Sequence, residues 1–590
     1  MIKFQKYNIA HFAVDLVAEL GSTHVFTLTG GMAMYLNRAV SQHPKLTAIY
    51  CQHEQACVAA AEGYSKATNF SKAGFAVVTA GPGVSNTVTS LISAYGDSTP
   101  LIVLAGQIKS EDIDPYSTRT HGIQEIRSKE LIEPCVKHFV RLDAENYRNQ
   151  LIDACVQSFA GRPGPVFIEI PLDVQGLPLD ISAQDVLGAV QEIRELLQGR
   201  QQLEAVNSKL YQALNNLLEA NRPLIYVGNG VRIAGQEEAV CEFAERHQIP
   251  MVFSWLSFDI LPGNHPLNLG CPGGLAPIYS NEVLSRADTI VFLGARLDLG
   301  TTAFQRKDFG GQAQRWIVDV DDAELKKFEN MPQTITVKAN LRNFSVAILN
   351  LVSETSKSDK TWLPVCKELR SVYQSEERQR LMSDQFNVYA VADILSTVAD
   401  GKVFVSASSG YAEETFTRFF VPGRSSRFFN GAALGAMGMG LPNALGAAFG
   451  TTAPVMCIEA DGGIMLNIQE LATLTQNAPA GFTIFLLNNE GYESIRSSQS
   501  RHFGDVYGAD SESGLFIPDF AEIARAFRLS YIRIDNRLDL HDFVIKRKTT
   551  DAPVFVDLRV EKFEYRGPSV KTVLDERGRP STTPLGEISW

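Results

Sequence analysis

The chain has 590 residues, 45% hydrophobic and 20% charged, with a formal net charge of -12. That length exceeds one compact core and points to about three or four domains of roughly 100–200 residues, of which three are expected. The composition excludes a disordered or fibrous chain, and an acidic balance without any Lys/Arg cluster argues against nucleic acid as a partner.

The opening stretch MIKFQKYNIAHFAVDLVAELG carries apolar residues at helical spacing, interrupted by Asp15 and Glu19, and so lacks the apolar core of a signal peptide. No stretch is long and apolar enough to span a bilayer, so no membrane association is expected. The eight cysteines contain no CxxC pair, and Cys51, Cys57, Cys155, Cys241 and Cys457 sit in apolar or small-residue surroundings, as reduced core residues of a cytoplasmic protein do.

From Val25 onward, short apolar runs (VFTLT, AVVTA, LIVLAG, VFIEIPLD) alternate with helical stretches, which predicts βα units on a parallel sheet and a first domain over 1–180. PLIYVGNG opens a second series through IPMVFSW, ADTIVFLGAR and RWIVDVD, giving a middle domain over 190–355. After the polar SETSKSDKTWLP, a third series over 370–560 runs through KVFVSASSG, VMCIEADGG, FTIFLLNN and APVFVDLRV. The Pro, Gly, Ser and charge-rich remainder, 561–590, is predicted to be an extended arm. The expected fold class is α/β, three doubly wound parallel-sheet domains with ligands at the carboxyl ends of the strands, the first and third sharing one layout.

In VMCIEADGGIMLN an apolar strand ends at Asp461, and a double glycine and a helix follow. A carboxylate at a strand end can hold a hard cation, while Gly462 and Gly463 let backbone N–H groups approach phosphate oxygens at a helix start. FTIFLLNNEGY ends at Asn488, and a neighbouring parallel strand would bring Asn488 beside Asp461 as a second oxygen ligand of Mg²⁺, with the Glu490 carbonyl available to complete the shell. DGG alone reads more readily as a capped turn; the paired spacing reverses that weighting in favour of a metal–diphosphate site.

These residues resemble the fingerprint of thiamine diphosphate enzymes, a GDG followed by NN, here ADGG…NNEGY with Ala460 in place of the first glycine. The resemblance implies thiamine diphosphate and Mg²⁺, the metal on Asp461, Asn488 and Glu490, and a cofactor turn that includes Gly491 and Tyr492. CQHEQACVAAAEGYSKAT resembles the HEQ…AEGYAR helix of the acetolactate synthase-like branch, which places Glu54 at the pyrimidine N1′. A carboxylate there shares a proton with the ring and favours the imino tautomer, whereas residue chemistry alone reads Glu54 as a helix-start carboxylate. GAALGAMGMGLPNALGAA is similar to the segment that bends the cofactor, with the Gly435 carbonyl on the 4′-amino group and Met437 as the wedge; a plain core methionine is the other reading. TLTGGMAM and HGIQE match loops at the reaction centre, giving Gly31 and Gln124, each otherwise a turn glycine or surface amide. Ser408 and Ser409 follow KVFVS where the family touches the diphosphate, although SASSGYAEE departs from its pattern and serine capping of a helix explains it as well.

The middle region resembles an FAD-binding domain through GNG, LGCPG, GARLD and VDVDD, which implies FAD held by Gly228, Gly230, Gly270, Gly294, Arg296 and Asp319; Gly300 stands where relatives have a second arginine, and an empty or ADP-binding domain is the alternative. The implied reaction is decarboxylation of a 2-keto acid such as pyruvate and ligation of the two-carbon unit to a carbonyl acceptor, either a 2-keto acid or a keto-sugar nucleotide. TGGMAMYLN, HEQACVAAAEGY and GYESIR look like relatives that build polysaccharides and branched deoxysugars, and Ser498 stands near a family tryptophan. The alternatives are acetolactate synthase proper, a decarboxylase without ligation using His121 as donor, and a silent ThDP-binding regulatory paralogue. A homodimer or homotetramer with active sites between subunits is expected.

Overall fold

The computed structural model describes residues 7–588 apart from 115, 117, 120, 203–207, 350, 352–355, 383–384, 407–409, 563–566 and 575–576. The first sheet consists of β1 (His24–Thr27), β2 (Thr47–Tyr50), β3 (Gly74–Val78), β4 (Leu101–Gln107), β5 (His138–Arg141) and β6 (Pro165–Pro171). The middle sheet holds β7 (Pro223–Val227), β8 (Met251–Phe253), β9 (Thr289–Leu293), β10 (Gln314–Asp319) and β11 (Thr334–Lys338). The third contains β12 (Val403–Ser406), β13 (Arg427–Asn430), β14 (Val455–Ala460), β15 (Thr483–Asn488), β16 (Ser530–Ile534) and β17 (Val554–Arg559). All pairings in these sheets are parallel, as the α/β class read from the sequence requires.

The first sheet runs β2-β1-β3-β4-β6-β5 and the third β13-β12-β14-β15-β17-β16. Counted from its own first strand, each has the same order. The middle sheet, β11-β10-β9-β7-β8, reverses direction between β9 and β7, which opens a crevice at their carboxyl ends. Strands β3, β4 and β6 are buried along their whole length because helices cover both faces, which is why they read as unbroken apolar runs.

The segments between the sheets are attached to them. The helix Ala183–Gln202 buries Val186, Ala189, Val190 and Ile193 in the core of the first sheet. The helix Trp362–Leu381 joins the middle domain, where the Trp362 indole N–H donates to the Pro223 carbonyl at 2.9 Å. In the arm, a short antiparallel pair, Thr572–Leu574 with Pro580–Thr582, lies near Gln305, whose amide donates to the Thr582 carbonyl. Among the described residues no helix is long and apolar enough to cross a membrane. The eight cysteines are all free, and all but Cys241 are buried.

The first and third domains meet through the helices Glu54–Ala67 and Gly440–Gly450. A Cβ on Gly63 would stand 2.0 Å from the Asn443 carbonyl oxygen, and one on Gly446 1.7 Å from that of Ala60. The two backbones therefore touch with no side chain between them. Gly446→Ala is expected to lower the melting temperature by forcing the helices apart, costing about 1–3 kcal/mol. Gly188→Ala, at an exposed position of the helix Ala183–Gln202 with open space beside it, should instead stabilise by roughly 0.5–1 kcal/mol. Thermal melts of the two variants check the contrast.

Candidate active site

Ala460 of β14 pairs with Leu487 of β15, so the following residues, Asp461 and Asn488, arrive side by side at one sheet edge. Asp461 is fully buried, and its carboxylate accepts the N–H groups of Gly462 (2.6 Å) and Gly491 (3.0 Å). Burial nonetheless pushes its acid up to about 7, outweighing those backbone donors and the nearby Arg496. The Asn488 amide is oriented by Asp557, which only accepts: Nδ2 donates to its Oδ1 at 2.9 Å, while Asp557 Oδ2 accepts the Tyr531 hydroxyl at 2.8 Å. Asn488 Oδ1, with one 3.3 Å contact from the Glu490 N–H, keeps a lone pair for another partner.

Glu490 takes φ +61°, and its carboxylate turns outward to Arg559 and Lys562, so its carbonyl is the group it can offer to this edge. Gly491 is required by the space: a Cβ would lie 2.2 Å from the Ala509 carbonyl oxygen. Gly462 is required by Tyr492, whose ring comes within 2.1 Å of where its Cβ would be. Among the described residues no three His, Cys, Asp or Glu side chains converge on one point. A donor set of one carboxylate, one amide oxygen and one carbonyl suits a hard cation that brings further oxygens with its ligand, and a buried carboxylate lacking a cationic partner in hydrogen-bond contact fits that cation.

The loop after β13 rests on this turn. The Gly438 carbonyl accepts Asn467 Nδ2 at 2.8 Å, and Gly463 O lies 3.1 Å from the Cβ position of Gly438. Gly435 has φ +61° with its N–H bonded to the Gly431 carbonyl. Of the two methionines here, Met439 is buried against Gln55 and Ser90, leaving the half-buried Met437 with surface to offer a ligand. Ser408 and Ser409 lie outside the described residues.

A second cluster occupies the carboxyl edge of the first sheet. Glu54 is the first residue of its helix, buried, and accepts Asn86 Nδ2 at 2.9 Å; His53 caps the same helix by accepting the Gln55 N–H. Gly83 stands between Thr79 and Glu54 Oε1, and Gly30 packs on Thr79. Gly31, exposed, has open space beyond it. Gln124 takes φ +64° and packs its backbone on Gly81 (φ +63°). Asn86 and Gly81 were not singled out in the sequence, though GPGVSN after a strand is the signal that carries both. The hydrogen bonds around Glu54 and those around Asp461 share no residue.

At the crevice of the middle sheet, residues of all three domains enclose a cleft of about 350 Å³ lined by Gly230, Gly294, Arg296 and Asp319 among others. Tyr226 OH and both polar atoms of the Asn229 amide line it buried and without a hydrogen-bond partner. Burial pushes the Asp319 acid up to about 6. Gly228 and Gly270 stand behind the wall: Cβ atoms there would strike Gly294 O at 2.1 Å and Ser280 Oγ at 2.7 Å. Arg296 joins domains, donating to Gly96 O (2.8 Å), Ala432 O (3.4 Å) and Asp298. Arg162, unnoticed in the sequence, does likewise through Asp321 of the middle domain, while its Nε donates to Ser98 Oγ within the first. Orphaned polar atoms in a roomy cleft fit a polar, nucleotide-sized ligand.

Residues 7–131 match the N-terminal TPP binding domain of the thiamine pyrophosphate enzymes, 210–347 their central domain and 408–558 their C-terminal TPP binding domain. The chain is similar to acetolactate synthase 2, chloroplastic, of Zea mays (26% identical, covering 96% of this chain and 88% of the relative). It is 28% identical to the acetolactate synthase large subunit of Haemophilus influenzae over 95% of this chain and 96% of that one. The acetolactate synthase isozyme 1 large subunit of Escherichia coli is 26% identical, with 99% and 98% covered.

Asp461→Asn is expected to raise the melting temperature of the ligand-free protein by removing a buried charge. It should also abolish the further rise that Mg²⁺ with thiamine diphosphate gives the wild-type chain. Equal ligand-induced shifts in the two proteins would contradict the assignment.

Proposed function

The chain belongs to the thiamine pyrophosphate enzymes, of the acetolactate synthase-like kind, and from that premise we propose that it decarboxylates a 2-keto acid, pyruvate first among them, and ligates the two-carbon unit to a second carbonyl compound. The observation that supports this most is the pairing of Asp461 with Asn488 at one sheet edge. When bound, the thiamine ring supplies the electron sink into which a keto acid loses CO₂.

The residues then divide the work. Asp461, Asn488 and the Glu490 carbonyl would hold Mg²⁺, and the turn through Gly462, Gly463, Gly491 and Tyr492 would cradle the diphosphate, with Ser408 and Ser409 beside it. Glu54 would hold a proton at the pyrimidine nitrogen, kept in place by Asn86. The Gly435 carbonyl would accept from the ring amino group, and Met437 would fill the bend. Gly31, with open space beyond it, would leave room for the acceptor, and Gln124 would face it. Both the keto acid and the keto-sugar acceptor fit this scheme, with Ser498 near the position of a family tryptophan favouring the larger.

Glu54 and Asp461 sit on separate domains, and apolar side chains stay exposed beside each. Leu434 and Leu466 belong to the loops that carry Gly435 and Asp461, and Tyr50 and Ile123 neighbour Glu54 and Gln124. A second copy would cover both faces, so a homodimer, or a tetramer of such dimers, is expected. For the middle cleft, the unpartnered Tyr226 OH and Asn229 amide support FAD, lined by Gly230, Gly294, Arg296 and Asp319, in an architectural role.

Glu54→Gln should lower turnover by roughly 10²–10⁴-fold while thiamine diphosphate still binds; near-normal turnover would remove its catalytic role. Incubating the purified chain with pyruvate, Mg²⁺ and thiamine diphosphate, with and without a second keto acid or a keto-sugar nucleotide, names the acceptor by product analysis. Acetolactate alone assigns synthase activity, a product that forms only with the sugar assigns sugar ligation, and CO₂ with free aldehyde contradicts ligation altogether.

A further inference from the structure

Among the described residues the largest fully buried side chain is not an aromatic ring but the guanidinium-bearing chain of Arg496. A cation is removed from water at a steep cost and persists there only where several acceptors surround it. Arg496 has them. It lies in the first turn of the helix Glu493–Phe503, directly after the Asn488–Tyr492 turn. Its Nη2 donates to the Asn489 carbonyl at 2.9 Å and to Glu493 Oε2 at 2.6 Å, its Nε reaches the same Glu493 oxygen at 3.1 Å, and its Nη1 reaches the Glu490 carbonyl at 3.3 Å. Asp510 Oδ2 lies 3.7 Å from Nη1.

We propose that Arg496 is a positioning residue for the cation site, setting the Glu490 carbonyl at the spacing that Mg²⁺ demands beside Asp461 and Asn488. The proposal rests on the reading that Mg²⁺ binds those three residues. A carbonyl oxygen has two lone pairs, so Glu490 can accept from the guanidinium on one and face a metal with the other. The turn needs such a hold because Glu490, a residue with a Cβ, sits at φ +61°, a conformation that persists only where its surroundings fix it. Gly491 N–H is held by Asp461 and Tyr492 N–H by Ala509, which pins the far end. Arg496 pins the near end, at the two carbonyls.

Charge is compatible with this arrangement. Glu493 takes two of the guanidinium bonds and Asp510 faces the remaining edge, so the cluster adjoining the cation site carries no net positive charge to repel a divalent ion. Lysine could not substitute, since an ammonium is a point charge without the planar fork that serves two carbonyls and a carboxylate together. The chemistry predicts which ion suffers. Mg²⁺ requires near-ideal octahedral geometry at about 2.0–2.1 Å, whereas Ca²⁺ accepts longer, irregular shells. Loosening one carbonyl should therefore cost Mg²⁺ more than Ca²⁺.

The test uses the full chain and measures thiamine diphosphate binding by fluorescence quenching while Mg²⁺ or Ca²⁺ is titrated, in wild type and Arg496→Lys. The half-saturating Mg²⁺ concentration should rise roughly 10–100-fold, as it does when the partner that orients a ligand is lost, and that of Ca²⁺ by a smaller factor. Unchanged Mg²⁺ dependence in a folded variant overturns the proposal, and equal weakening of both ions overturns it in favour of a structural role alone. If Arg496→Lys does not fold, Glu493→Gln combined with Arg496→Met removes the charge pair together and faces the same criteria. Wild-type binding that ignores divalent cations would show instead that the cation reading itself is at fault, and the role of Arg496 would fall with it.

Discussion

The backbone contact between the Glu54–Ala67 and Gly440–Gly450 helices is the constraint on which the rest of the molecule depends. With Gly63 against Asn443 and Gly446 against Ala60, the two similar sheets are locked at a separation no side chain could maintain. Side chains continue the contact at the helix starts, where Gln55 and Ser90 meet Met439. One consequence is that Glu54 and the Gly435–Met437 loop, at the leading ends of the two helices, inherit fixed positions from packing far from any ligand. Another is that the carboxyl edges of both sheets are left carrying exposed apolar residues, which explains why a lone chain looks unfinished.

Charge reinforces this frame. Lys66 is buried between Glu62 (2.9 Å) and Asp97 (2.8 Å) and donates to the Asn430 carbonyl, at the root of the loop that carries Gly435. Glu413 accepts the next N–H, that of Gly431, and Arg296 takes the Ala432 carbonyl. Asp259 of the middle domain, raised by burial but held below the usual carboxylate range by Arg232 and Arg427, bonds the Phe428 N–H in β13. Removing one partner from such a set leaves a buried charge unmatched, so these groups tie three domains into one body more through the penalty of separation than through net attraction.

Much of this was legible in the sequence where function and local structure coincide. Three series of apolar runs gave three parallel sheets, because strands buried on both faces must be apolar throughout. Asp461 and Asn488 could be paired because each is the first polar group after an apolar strand, and parallel neighbours align such ends. Other readings depended on distances that the sequence does not carry. Gly228 and Gly270 look like ligand-facing glycines, yet their missing Cβ atoms make room for Gly294 and for Ser280. Arg296 lines the cleft, and its donors also reach carbonyls of the two other domains, a bridging role that the sequence does not announce. Asn86, Asp557 and Arg496 went unread because each acts on a residue that is near in space through a fold, or through a turn whose left-handed geometry no residue-type pattern announces.

The proposed dimer would build each active site from Glu54 of one copy and Asp461 of the other. Co-expressing Glu54→Gln with Asp461→Asn and isolating the mixed dimer tests it most directly. In a shared arrangement one of the two sites holds both wild-type residues, and the mixed dimer should recover up to about half the wild-type turnover although neither variant is active alone. If each site were built within a single chain, every site would carry one lesion. A folded mixed dimer as inactive as its parents would contradict the account.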